Sequence, residues 1–91
     1  MSQVTIYTRM MCGYSTAAKR LLERKGIDFI EHDASFSPEL RREMIQKANG
    51  RATFPQVFVG STHVGGSDEL HALEARGELN SLLEREGIAT K

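Results

Sequence analysis

The chain is 91 residues long, which is one domain, and a chain of this size buries only roughly 60–65% of the surface its unfolded form exposes, so its core is modest. Hydrophobic residues at 40% and charged residues at 26% describe an ordinary folded domain, with no Pro/Ser/Gln-rich tract to argue for disorder. Twelve basic side chains cancel twelve acidic ones, which removes the broad field that nonspecific binding to nucleic acid or an anionic membrane relies on, and neither partner is expected.

At the N-terminus, MSQVTIYT has neither the charged n-region nor the long apolar h-region of a signal peptide, and no later run approaches the ~20 apolar residues of a membrane span. A cytoplasmic protein is expected. Val4–Thr8 alternates branched and polar side chains and reads as a first strand. A Met-Met-Cys-Gly turn then feeds a helix over Gly13–Lys25, with Ala17, Ala18, Leu21 and Leu22 inward, Lys19, Arg20, Glu23 and Arg24 outward, and Gly26 as its stop. Ile27–His32 reads as a second strand, parallel to the first. Ser37-Pro38 opens a second helix, with Ser as N-cap and Pro at the first helical position, and Leu40, Met44, Ile45 and Ala48 form its buried stripe as far as Asn49-Gly50.

Gln56–Val59 and Thr62–Val64 flank Gly60-Ser61 and read as an antiparallel hairpin. A third helix follows Gly65-Gly66, capped by Ser67 or Asp68, and a short fourth follows Gly77; Gly87–Lys91 is expected to fray. This order gives a four-stranded mixed sheet with helices on both faces, an α/β architecture in a single domain over residues 1–91.

Chemistry concentrates at Cys12, the only cysteine. One thiol cannot form an internal disulfide, which again favours a reducing compartment. At a strand-to-helix turn it faces the unsatisfied N–H groups of the first helical turn, and both these and the helix dipole favour the thiolate. A lone cysteine is more often buried filler. Here Gly13 beside it, with Arg9, Lys19 and Arg20 near in sequence, makes the setting open and locally positive, so the thiol reads as reactive. His32, His63 and His71 lack the spacing of a zinc site and read as surface residues; no metal ligands are expected.

Three motifs in register carry a resemblance. Cys12-Gly13-Tyr14-Ser15 follows the first strand, Thr53-Phe54-Pro55 precedes the third, and Gly65-Gly66-Ser67-Asp68 precedes a helix. Together they resemble a glutaredoxin, with a thioredoxin-like fold, over essentially the whole chain. The resemblance implies that glutathione is the co-substrate. Phe54 and Pro55 match the position where a cis proline leaves the preceding backbone free to pair with the glutathione cysteine, as an added strand does. Gly66, Ser67 and Asp68 match the site for its γ-glutamyl end, and Arg9, Tyr14 and Arg42 match positions near the sulfur or the glycyl carboxylate.

Catalysis is then expected at Cys12 with Ser15, in a glutathione-dependent oxidoreductase that reduces glutathionylated proteins by a monothiol route, as a monomer. The other reading is a homodimer carrying a [2Fe–2S] cluster, each subunit giving Cys12 and one glutathione. Ser15 departs from the dithiol branch that the rest of the chain resembles, where a second cysteine stands. The pattern fits either a single-thiol variant or a cysteine-to-serine replacement that traps the glutathione adduct.

Overall fold

Strand β1, Val4–Thr8, is the hub of the sheet. In the computed structural model, which describes residues 3–90, it pairs on one side with β2 (Phe29–Asp33) in parallel and on the other with β3 (Gln56–Val59) antiparallel. Strand β4 (Thr62–Gly65) adds to β3, antiparallel, so the order is β2-β1-β3-β4. Helix α1 (Gly13–Arg24) joins the parallel pair, α2 (Pro38–Lys47) joins β2 to β3, and α3 (Ser67–Ala75) and α4 (Glu78–Arg85) follow the hairpin.

The period of two along a strand divides the core between two faces. Val4, Ile6, Val57 and Val59 pack with Ala18, Leu21 and Leu22 of α1, Leu70 of α3 and Leu79, Leu82 and Leu83 of α4. On the other face Tyr7 and Phe58 meet Met44 and Ala48 of α2. The Tyr7 ring is fully buried there and its hydroxyl donates to the Glu43 carboxylate, as a buried phenol requires. Three helices therefore cover one face and α2 alone the other. No helix of the described residues is long and apolar enough to cross a membrane.

Strands β2 and β4 each run one residue past the expected end, to Asp33 and Gly65, and three further differences from expectation lie at helix ends. Ile27 does not open β2. Gly26 adopts φ 68°, its N–H bonds the Glu23 carbonyl at 3.0 Å, and the Ile27 N–H bonds the Leu22 carbonyl at 3.0 Å. This is a Schellman closure, which needs a residue free to take positive φ and buries the apolar residue after it; Ile27 is 3% exposed. Helix α2 stops at Lys47 for a related reason, with Asn49 at φ 54° and the Gly50 N–H on the Ile45 carbonyl. At the C-terminus, Ile88 bonds back to the Leu83 carbonyl at 2.9 Å and packs against the core, so the expected fraying from Gly87 does not begin there. Lys91 lies outside the described residues.

Candidate active site

Cys12 is the N-cap of α1, half-exposed, in extended geometry with φ −113° and ψ 111°. The residue before it, Met11, takes φ 55° and is fully exposed, which turns the chain sharply between β1 and the helix. The Thr16 N–H closes on the Cys12 carbonyl at 3.1 Å, so the first turn is regular and the earlier N–H groups are left facing the sulfur. The sulfur stands 3.9 Å from the Phe54 carbonyl oxygen. Sequence separation between them is 42 residues, and the pairing of β1 with β3 is what brings them together.

The acidity of Cys12 reflects a contest. Its partial burial pushes the thiol up. The Ser15 hydroxyl, the Ser15 and Tyr14 backbone N–H groups and the Arg9 side chain pull it down, and the net effect is a lowered pKa. Ser15 itself is buried, 2% exposed, and its Oγ makes no hydrogen bond of ordinary geometry. An orphaned buried hydroxyl is costly, and the sulfur is the acceptor it acts on. The hydroxyl favours the thiolate over the thiol, because a hydrogen bond to a charged acceptor is the stronger one.

The peptide bond Phe54–Pro55 is cis. Beside it runs a shallow groove of about 130 Å³, walled by Tyr14 and Thr53 to Pro55 on one side and by Gly66 to Glu69 with Arg51 on the other. Larger hollows lie elsewhere, about 510 Å³ at the start of β2 and about 630 Å³ between β4 and α3–α4. Neither adjoins the thiol. An extended peptide needs an edge and a groove, not a deep cavity.

The sequence suggests Ser67 or Asp68 as the cap of α3, but the N-cap is Gly66, and Ser67 and Asp68 are the first helical residues. The cap is supplied from inside the helix, because the Glu69 carboxylate accepts the Gly66 N–H at 2.6 Å. Arg51 holds the same carboxylate at 3.0 Å. The Gly66 N–H first and then Arg51 depress the Glu69 pKa. Gly65 has φ 117°, a conformation that favours glycine, and a Cβ there would also stand 2.6 Å from the Glu69 carboxylate and push that side chain aside.

Arg9, Tyr14, Thr53, Phe54, Pro55, Gly66, Ser67 and Asp68 gather around the thiol and the groove. Arg9 lies over the Phe54 ring at 5.6 Å. The second guanidinium on that ring belongs to Arg41, at 6.0 Å, whereas Arg42 is exposed on α2. Sequence reasoning also missed Arg51 and Glu69. Glu69 carried a local signal, an acid three residues after a cap; Arg51 carried none. The histidines are not simple surface residues. Each is half-buried: His32 against the Tyr7 ring, His63 on Gln56 and Phe58, and His71 through Nδ1 on the Ser67 carbonyl at 2.8 Å.

Residues 4–64 match the sequence profile of the glutaredoxin family. The chain is 53% identical over 83 residues to a glutaredoxin of Pseudomonas aeruginosa, covering 91% of this chain and 98% of that one. The solution structure of a glutaredoxin from Brucella melitensis superposes with TM-score 0.77 at 59% identity, over 89% of this chain and 87% of that chain. A crystal structure of a buckwheat glutaredoxin–glutathione complex superposes with TM-score 0.84 at 25% identity, over 97% and 83%.

Proposed function

Because the chain belongs to the glutaredoxin family of thiol oxidoreductases, we propose that it reduces glutathione mixed disulfides with Cys12 as the sole protein sulfur. The observation that carries this reading is the place of that sulfur, at the N-terminus of α1 and 3.9 Å from the backbone edge at Phe54.

In the first half-reaction the Cys12 thiolate attacks the glutathione sulfur of a protein–glutathione disulfide. The S–S bond breaks, its electron pair leaves with the substrate cysteine, and Cys12 becomes glutathionylated. A second glutathione, as thiolate, then attacks that sulfur, forming glutathione disulfide and releasing the Cys12 thiolate. Electrons balance: one substrate cysteine is reduced while two glutathione sulfurs end as one disulfide. A lowered thiol pKa serves both steps, raising the fraction of attacking thiolate and then making Cys12 the better leaving group.

Each part of the groove answers one part of glutathione. The Phe54 backbone pairs with the central cysteine residue as an added strand does. Backbone N–H groups at the start of α3 suit the γ-glutamyl carboxylate, and the Asp68 carboxylate suits its ammonium. Arg9 and Arg41, both lying over Phe54, suit the glycyl carboxylate. Glutathionylated proteins are the partners this chemistry calls for, and a reducing cytoplasm is the compartment that would supply it.

Carriage of a [2Fe–2S] cluster would use the same thiol. One chain offers one of the four thiolates needed, and no group of three or more His, Cys, Asp or Glu among the described residues could hold a metal ion. That reading therefore requires two copies and two glutathiones, and visible absorbance after anaerobic purification would favour it.

The test is a titration of glutathione into Cys12→Ser, followed by backbone amide signals, together with turnover of a glutathionylated peptide by the unaltered protein. Shifts at Phe54, Gly66, Ser67 and Asp68 at millimolar ligand are expected. Silence at those residues would make the groove assignment wrong.

A further inference from the structure

Gln56 opens β3 and is completely buried. A buried amide must place two N–H donors and a carbonyl acceptor. Both donors go to one residue, since Nε2 lies 3.0 Å from the Thr53 carbonyl oxygen and 3.0 Å from Thr53 Oγ1. A carbonyl can only accept, so this end of the amide is its nitrogen and the oxygen points the other way. That oxygen is 2.6 Å from Nε2 of His63 on β4.

The amide oxygen can only accept too, so His63 Nε2 must carry the hydrogen. The network thereby selects one tautomer of the neutral ring. Protonation of Nδ1 would leave the Nε2–H donor in place, so the contact survives either charge state. Phe58 fixes the ring plane, stacking on it at 4.9 Å and 26°. Burial first, and then the charge of Arg51, disfavour the imidazolium.

We propose that His63 and Gln56 form a positioning clamp for the turn Thr53–Pro55, locking the backbone edge that receives the ligand of the thiol-exchange reaction. The proposal rests on the reading above that this edge pairs with glutathione. Thr53 is exposed and lies between α2 and β3, outside any regular element. A single side chain anchored in the sheet ties it at two atoms, and an edge that pairs with an extended ligand has to be held to within about 0.5 Å. Because Thr53 Oγ1 accepts from Gln56, its own proton is left to donate elsewhere. Neither clamp residue touches the reacting sulfurs, so both act through Thr53.

The experiment compares the unaltered protein with His63→Ala and His63→Gln, whose amide nitrogen can stand where the imidazole Nε2 stood. With a glutathionylated peptide, His63→Ala should raise KM roughly three- to tenfold, the scale of one lost hydrogen bond. The pH midpoint of Cys12 alkylation should not move, and His63→Gln should return KM to within about twofold of the unaltered value. An unchanged KM in His63→Ala overturns the clamp, and so does failure of His63→Gln to rescue it. Nitrogen-15 spectra of the unaltered protein give a readout that needs neither ligand nor variant: His63 should be the Nε2–H tautomer, and a dominant Nδ1–H form rules the clamp out. If the unaltered protein does not turn over the peptide, the proposed function fails, while the tautomer still decides the clamp.

Discussion

At Cys12 and Ser15 reactivity and stability pull in opposite directions. A lowered thiol pKa means that alkylation should reach half its maximal rate below the free-cysteine value of ~8.5 and slow as pH falls through that midpoint. Ser15→Ala should move the midpoint up, since it deletes the hydroxyl that favours the thiolate. The same change removes an unsatisfied buried hydroxyl, so it should leave stability unchanged or raise it by up to about 1 kcal/mol. A midpoint unaffected by Ser15→Ala would show that the hydroxyl does not act on the sulfur. Under the proposed function, position 15 also limits the substrates. A serine one helical turn from Cys12 can tune the thiolate but cannot form a disulfide. Ser15→Cys should therefore add activity on an intramolecular protein disulfide, and equal activity of the two proteins on that substrate would remove any resolving role for this position.

The start of α3 is the element on which the groove depends, and it is held by an acid of its own. The Glu69 carboxylate takes the Gly66 N–H and binds Arg51. Its folded pKa is depressed, so its contribution is present above the unfolded carboxylate value of ~4.3 and is lost as pH falls through the lower folded one. Glu69→Gln should reduce stability at neutral pH and flatten that acid limb. Glu69 and Arg51 side chains are each 45% exposed, and solvent screening keeps the effect under about 1 kcal/mol. Urea unfolding of both proteins at pH 7 and at a strongly acidic pH, below the depressed Glu69 pKa, measures the difference; equal losses at the two pH values would contradict the charge argument.

Across the whole molecule, β1 and β3 contribute side chains to both cores, so neither face can open alone. Leu70→Ala on the three-helix face and Met44→Ala under α2, each at a fully buried position, should cost about 2–5 kcal/mol. Each should lower one cooperative transition, because a domain of this size unfolds as a unit. Separate transitions seen by probes on the two faces would show that the faces are independent. The described fold has a Cα radius of gyration of 12.2 Å, and scattering from a monomer should report a compact particle of that scale.

The order of elements, the Ser37 cap with its Leu40 N–H bond, and Cys12 at a helix start were legible from sequence, because each signal lies within about four residues of what it controls. The residues that line the groove were named through the resemblance of three short motifs to a glutaredoxin; read alone, those motifs are turns and helix starts. What only tertiary structure decided are contacts between distant segments. Arg41, and not Arg42, reaches Phe54 because burial of Met44 and Ala48 sets the rotation of α2, and adjacent residues on a helix point about 100° apart. The pairing of Arg51 with Glu69 and the bond from His63 to Gln56 depend on strand register and on the docking of α3. The same packing buries Ser15 under the thiol. Residue type and spacing cannot supply such facts, because they follow from how faces meet once the chain has folded.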